Sequence, residues 1–206
     1  MEAFTTITGP AVPLMRANID TDVIIRIDRL TALPKDALGP HALEALRYRP
    51  NGTANPQPDP DCVLNDPRFA AAPILLAGAN FGCGSSREGA VWALQGIGVR
   101  CVIAPSFGDI FFNNCFQNGV LPIRMAPTQV DALAALAAGG AAFTVDLRQQ
   151  LLQSPDGSVW PFHVEPLRRE SLLQGLDEIG LTLQHMPAID AWESADRAAR
   201  PWNWQA

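Results

Sequence analysis

Residues 78–88 read Gly-Ala-Asn-Phe-Gly-Cys-Gly-Ser-Ser-Arg-Glu, placing three glycines, two adjacent hydroxyls and one guanidinium within a single short loop. An uncharged apolar run, Ile74-Leu75-Leu76-Ala77, leads into it, and a helix-like stretch from Glu88 to Leu94 follows. A strand, a glycine turn and a helix start together make an anion site, because unpaired N–H groups and the helix dipole both favour negative charge there. Gly78, Gly82 and Gly84 allow positive φ and close approach of the backbone to a ligand. Arg87 supplies a planar fork of donors, and Ser85 and Ser86 supply hydroxyls, a set that suits a carboxylate. The loop is not a Walker A sequence, which needs Gly-Lys-Ser/Thr, nor a dinucleotide fingerprint, since Arg87 stands where GxGxxG requires glycine. By local rules alone Ser85 is a helix N-cap, a role compatible with chemistry at the same hydroxyl.

The elements that must position this loop follow from periodicity and punctuation. A strand at 73–77, a helix at 88–96, a strand at 100–104, a helix at 108–117 and a strand at 120–125 form βαβαβ, which implies a parallel sheet covered by helices. Further strands are expected at 4–15, 143–147, 150–154 and 159–164, the last two joined through Asp156-Gly157. Helices are expected at 128–138, ending at Gly139-Gly140, and at 166–174, ending at Gly175. Asn18 to Asp22 reads as a polar Asx-type turn. Ser106 and Asp109 have the spacing of a capping box for the helix at 108–117. The segment 26–60 carries Pro34, Pro40, Pro50, Pro56, Pro58 and Pro60, so it is expected to be irregular, with helix only around 40–48. The tail from 188 to 206 is amphipathic and then rich in Trp, Arg and Pro, with Trp192, Trp202 and Trp204 able to pack on a partner or on the chain itself.

The chain has 206 residues, 48% hydrophobic and 17% charged, which fits one globular domain over 1–206. A formal net charge of −6 argues against a nucleic-acid partner. The first residues lack a basic start and an apolar run, and the uncharged stretch from Phe69 to Ser86 is broken by Gly, Asn and Pro. No signal peptide and no membrane partner are therefore expected, and a cytoplasmic location follows. The four cysteines, Cys62, Cys83, Cys101 and Cys115, form no CxxC pair, and His41, His163 and His185 are scattered, so no metal site is expected in this chain. Cys83 sits inside the loop, where it reads as a small residue that fits the turn rather than as a nucleophile.

GCGSSRE at 82–88 resembles the signature of the swivelling domain of the aconitase superfamily. NIDTDVII at 18–25, APSFGDIFFNNCFQNGVLP at 104–122 and GLDEIGLTLQH at 175–185 resemble, in order and spacing, its stand-alone form, the small subunit of bacterial 3-isopropylmalate dehydratase (isopropylmalate isomerase). The resemblance spans nearly the whole chain. It implies an α/β fold, a swivelling β/β/α domain with a largely parallel sheet covered by helices. It implies a hydro-lyase that converts 2-isopropylmalate to 3-isopropylmalate through isopropylmaleate in leucine biosynthesis. Such an enzyme is active only with a large subunit, which carries a [4Fe–4S] cluster whose open iron binds substrate, so no cofactor is expected on this chain. Carried onto the matching positions, the resemblance makes Ser85 the base, acting as an alkoxide. It makes Ser86 and Arg87 ligands of a small dicarboxylate substrate, and puts Asp22 beside the active site as a group that orients the loop.

The chain departs from the family pattern in several places. Arg26-Ile27 stand where Pro-Lys is common, Gly78-Ala79 replace Arg-Glu, and Gly89 replaces a histidine. The segment 26–35 corresponds to the family's loop over the substrate's variable side chain, which makes Arg26 and Arg29 candidate substrate contacts and brings Lys35 nearby. Two other readings stay open at the level of sequence. One is a paralogue for a methylmalate, dimethylmalate or homoaconitate-type substrate, and the other is an anion-binding module without catalysis.

Overall fold

Ile74 to Ala77 are buried at every position, which a strand achieves only inside a sheet covered on both faces. The computed structural model describes residues 1–49, 57–84 and 87–204 and shows that sheet with its two covers. Strand β1 (Thr6–Leu14) leads to the short helices α1 (Thr21–Ile24), α2 (Ile27–Ala32) and α3 (Glu44–Arg47), and then to the paired strands β2 (Tyr48–Arg49) and β3 (Gln57–Pro58). The regular half follows as β4 (Ile74–Ala77), α4 (Glu88–Gly96), β5 (Cys101–Ala104), α5 (Asp109–Gln117), β6 (Leu121–Arg124) and α6 (Pro127–Ala137). Strands β7 (Ala142–Asp146), β8 (Leu151–Gln153) and β9 (Val159–Pro161) precede α7 (Pro166–Gln174), α8 (Glu178–Leu183) and α9 (Met186–Ala199).

The main sheet has seven strands in the order β6-β5-β4-β1-β7-β8-β9. The β6-β5-β4-β1 half is parallel, as the βαβαβ pattern requires, and the other half is an antiparallel meander. Strand β1 serves both halves: Thr6 to Pro10 pair with β7, while Ala11 to Leu14 pair with β4. Gly9 stands at the changeover, where a Cβ would lie 2.6 Å from the Pro73 ring.

Side-chain alternation along each strand sorts the core into two. Leu75, Ala77, Val102 and Ala104 point to one side, where Ala90, Val91, Leu94, Phe111 and Cys115 of α4 and α5 cover them together with Ile24, Ile25, Leu38 and Leu43. Ile74, Leu76, Cys101, Ile103, Leu121 and Ile123 point to the other, against Val130, Leu133 and Ala137 of α6 and Leu172 of α7. Helix α7 starts at Pro166 after Glu165, whose carboxylate accepts from the N–H groups of Leu167 and Arg168, and it stops at Gly175 with φ +70°.

Several expectations need correction. The 26–47 stretch is a run of short helical turns, with 3₁₀ turns at Lys35–Ala37 and Gly39–His41 between α2 and α3, and the helix expected around 40–48 is only Glu44–Arg47. Of the irregular loop expected to run to 60, residues 50–56 lie outside the described residues, whereas Gln57–Pro58 are strand. Asn18 to Asp22 is not merely a turn: Asp20 N-caps α1, accepting from the N–H of Val23 at 2.7 Å. Ser106 and Asp109 form no capping box, because Gly108 is the N-cap residue of α5. The tail is helical and Trp204 docks on α9, donating to Asp196 at 2.9 Å, while Trp192 and Trp202 are exposed.

Candidate active site

The loop leaves the C-terminal end of β4, the edge at which open parallel sheets present ligand sites. Two neighbouring backbone segments extend the sheet around it. On one side the N–H of Asn18 donates to Ala79, that of Gly82 to Ile19 at 2.7 Å, and that of Thr21 to Cys83 at 3.0 Å. On the other, the N–H of Phe81 donates to Ser106 at 3.0 Å and that of Gly108 to Phe81 at 2.9 Å. Ser106 Oγ, expected to cap α5, instead accepts the N–H of Asn80 at 2.8 Å. Asn80 takes φ +60°, and its amide donates to the Asn18 side chain at 2.8 Å. The loop is thus clamped between the Asn-Ile-Asp-Thr-Asp motif and the 105–108 turn.

The glycines are explained by what a side chain would strike. A Cβ on Gly78 would lie 2.6 Å from the backbone of Arg16 and Ala17, so this glycine serves close approach and not positive φ as expected. Gly82, at φ +69°, lies against Phe111, and a Cβ there would be 2.2 Å from the ring. Gly84, at φ +87°, is exposed and has open space beyond Asp20 and Thr21. Gly108 faces the Gly82 carbonyl, which a Cβ would approach to 2.4 Å, and that contact excludes a larger residue at the start of α5.

These bonds engage the N–H groups of Asn80, Phe81 and Gly82, so donors for an anion come from the loop's far end. Among the described residues no partner is found for the N–H of Gly84. Ser85 and Ser86 lie outside the described residues. Arg87, and not Ser85 as local rules suggested, is the N-cap residue of α4, with an extended backbone and no side-chain cap of its own. Its Nη1 donates to Asp22 Oδ1; the arginine side chain is 22% exposed and the aspartate 52%. Nε and Nη2 of Arg87 have no partner among the described residues, which leaves an edge of the fork available to a carboxylate. The motif's two aspartates therefore divide the work: Asp20 caps α1, and Asp22, in the first turn of that helix, holds Arg87. The start of α4 is tied to the end of α5 through Asn118, which donates to Glu88 at 2.8 Å and accepts from Trp92 Nε1 at 2.9 Å.

Arg26 caps and Arg29 lies in α2, the helix whose Leu30 packs on Gly89 of α4, and the charge of both is already engaged. Arg26 Nε is 3.0 Å from Asp28 and 3.8 Å from Glu44, and Arg29 Nε is 3.3 Å from Glu44. Lys35 stacks over Trp92 with Nζ 4.8 Å from the ring centre. Sequence reasoning missed Glu44, a single acid in a stretch of Ala and Leu with no motif around it, and also missed the role of Gly89, which receives Leu30 of α2.

No group of three or more metal-ligating side chains occurs among the described residues. Cys101 and Cys115 are fully buried, one in each core, and burial pushes both thiols up. The described residues thus present no ligand set for an iron–sulfur cluster.

A glycine loop at the C-terminal edge of a half-parallel sheet, delivering one arginine held by an aspartate, defines an α/β domain with a candidate anion site. Comparison with known proteins gives the class its family. Residues 1–128 match the aconitase C-terminal domain, and residues 178–202 match the C-terminal domain of the 3-isopropylmalate dehydratase small subunit. A 3-isopropylmalate dehydratase small subunit of Rhodospirillum centenum is 52% identical over 204 residues, covering 98% of this chain and 98% of the relative. The protein of that name from Paramagnetospirillum magneticum is 50% identical over 204 residues, covering 98% of this chain and 100% of the relative. A crystal structure of 3-isopropylmalate dehydratase from Methanocaldococcus jannaschii superposes with a TM-score of 0.66 at 25% identity, covering 90% of this chain and 99% of the other. The chain belongs to the 3-isopropylmalate dehydratase small subunit family of the aconitase superfamily.

Proposed function

We propose that this chain works as the small subunit of a hydro-lyase that isomerises 2-isopropylmalate to 3-isopropylmalate through isopropylmaleate, in leucine biosynthesis. The observation that carries the reading is Arg87, fixed at the start of α4 by Asp22 at the open end of the clamped glycine loop. The names and near-complete coverage of the relatives favour this reading over a methylmalate, dimethylmalate or homoaconitate paralogue and over a non-catalytic module.

Ser85 takes the proton from the carbon next to a substrate carboxylate. A serine hydroxyl is a weak base at neutral pH, so its alkoxide needs help. The N–H groups at the loop's end, the α4 N-terminus and Arg87 supply it as an oxyanion hole does. Ser86 and Arg87 bind the carboxylate, Arg87 through the edge that Asp22 leaves available. Arg26 and Arg29 border the substrate's variable part. The complementary half of the site, including a [4Fe–4S] cluster, belongs to a large subunit, the partner that the relatives' name implies. The complex is cytoplasmic and takes a small dicarboxylate. No helix among the described residues is long and apolar enough to cross a membrane, and the net charge of −6 disfavours nucleic acid.

The test is reconstitution. The isolated chain should not hydrate isopropylmaleate, and anaerobic addition of the large subunit with iron and sulfide should give isomerase activity. Hydration by the pure small chain, or an inactive mixture in which the two chains have demonstrably assembled, contradicts the reading.

A further inference from the structure

Helix α2 lies directly against the active-site helix. Its Leu30 packs on Gly89, where a Cβ would stand 2.2 Å from Leu30 Cδ2, and Gly89 is two residues beyond Arg87. Ile27, one turn earlier and on the same side of α2, is 52% exposed. Beside the loop there is thus a short hydrocarbon ridge, Ile27 and Leu30, flanked by Arg26 and Arg29.

The two arginines do not give that wall a positive charge. Glu44, only 17% exposed, has both carboxylate oxygens within reach of Arg29 Nε, at 3.3 and 3.4 Å. The same carboxylate is 3.8 Å from Arg26 Nε and 3.0 Å from His41 Nδ1, while Arg26 also pairs with Asp28 at 3.0 Å. Two guanidinium groups face two carboxylates, and the formal sum is zero with His41 neutral. Glu44 is held in place by the backbone. It opens α3 directly after Leu43, which sits at φ +54° and donates its N–H to the Ile24 carbonyl at the end of α1 at 2.8 Å.

We infer that Glu44 is a specificity-determining residue, which by neutralising Arg26 and Arg29 makes the wall beside the catalytic loop accept an uncharged hydrocarbon substituent and disfavour an additional carboxylate. The inference rests on the proposed isomerase reading. A branched alkyl group meets Ile27 and Leu30 at no electrostatic cost. An extra carboxylate at the same place meets no spare positive charge, and to recruit Arg29 it must compete with a half-sheltered Glu44 already in position.

The experiment compares kcat/KM of the assembled two-subunit enzyme for isopropylmaleate and for a tricarboxylate, cis-aconitate. Glu44→Gln keeps the shape and removes one negative charge, so the wall gains a net positive charge. The ratio of cis-aconitate to isopropylmaleate kcat/KM should rise about tenfold. Arg29→Gln in the Glu44→Gln background should return the ratio toward its original value. Arg29→Gln alone, which leaves the carboxylate in excess, should lower it and keeps the idea testable if Glu44→Gln does not fold. A merely structural role for Glu44 predicts equal losses on both substrates and an unchanged ratio, and that result overturns the inference. Wild-type enzyme active on isopropylmaleate with an unchanged ratio in the variants refutes the role of Glu44 alone. An assembled wild type inactive on isopropylmaleate refutes the underlying isomerase reading as well.

Discussion

Replacing Gly82 and Gly84 separately by alanine tests whether the loop is held by its contacts with Phe111 and the Asn-Ile-Asp-Thr-Asp motif. Both residues have positive φ, +69° and +87°, so each substitution incurs the left-handed penalty of about 1–2 kcal/mol. They differ in what the new methyl meets. At 84 the nearest atom is Asp20 Cβ at 3.3 Å, a tight contact that a shift of a few tenths of an ångström relieves. At 82 the methyl falls 2.2 Å from Phe111 Cγ and 2.7 Å from Phe111 Cβ, and Phe111 is a buried core ring packed edge-on against Phe81 at 5.4 Å. Relieving that overlap means displacing the ring or the loop, an overpacking cost of about 1–3 kcal/mol. Gly82→Ala should therefore lose about 2–5 kcal/mol of folding stability and Gly84→Ala about 1–2 kcal/mol. Urea unfolding followed by far-ultraviolet circular dichroism reads the difference, with the Gly82→Ala midpoint lower by roughly 1–2 M than wild type. Activity should be ordered the other way relative to stability: Gly84→Ala, next to Ser85, should lose turnover while most of its fold survives. Equal midpoints for the two variants, or a Gly84→Ala midpoint below that of Gly82→Ala, would refute the packing argument.

Further outcomes follow from the same geometry. Arg87→Lys keeps the charge but loses the fork, so it should weaken every dicarboxylate substrate of the assembled enzyme by a similar factor, and a variant that reorders a substrate panel contradicts that role. The Asp196 carboxyl is held below the usual carboxylate range by the Trp204 N–H and then by Arg200. A depressed folded pKa means the stabilisation is complete above the unfolded value of about 3.9 and is lost as pH falls through the folded value. Protection of 190–200 against hydrogen exchange, taken relative to the intrinsic rate at each pH, should therefore fall below about pH 4 in the wild type and be low already at neutral pH in Asp196→Asn, whereas identical protection profiles for the two chains would contradict it.

The regular half of the fold was legible because its signals are local. Apolar runs at 74–77 and 101–104, glycine punctuation and helical spacing between them give βαβαβ without tertiary information. The short helices between 21 and 47 were not legible, since none exceeds six residues and periodicity needs more. The capping box at Ser106 and Asp109 failed because a tertiary contact overrode a local preference. The Gly82 carbonyl demands glycine at 108, and Ser106 turns to Asn80 instead. In the site, the glycines, Ser85, Ser86 and Arg87 stand out by residue type alone. The clamping of residues 79–83 by Asn18, Ile19 and Thr21 on one side and by Ser106 and Gly108 on the other rests on hydrogen bonds between segments distant in sequence, which no local pattern encodes. Asp22 became an active-site candidate only through the family resemblance, and its pairing with Arg87 gives that placement a physical reason. Glu44 pairs with arginines 15 and 18 residues away in sequence, a contact visible only once the chain is folded.

The central claim, that the serine following Gly84 does chemistry rather than serving only the structure of the loop, is tested most directly by titrating the large subunit with wild-type or Ser85→Ala small chain and measuring the plateau rate of isopropylmaleate hydration. Loss of a purely structural hydroxyl leaves the plateau near wild type once the small chain is saturating. Loss of a positioned base lowers the plateau by roughly 10²–10⁴-fold while the titration midpoint, which reports assembly, stays where it was. The account predicts the second result, and a Ser85→Ala plateau within a few-fold of wild type at saturating small chain would contradict it.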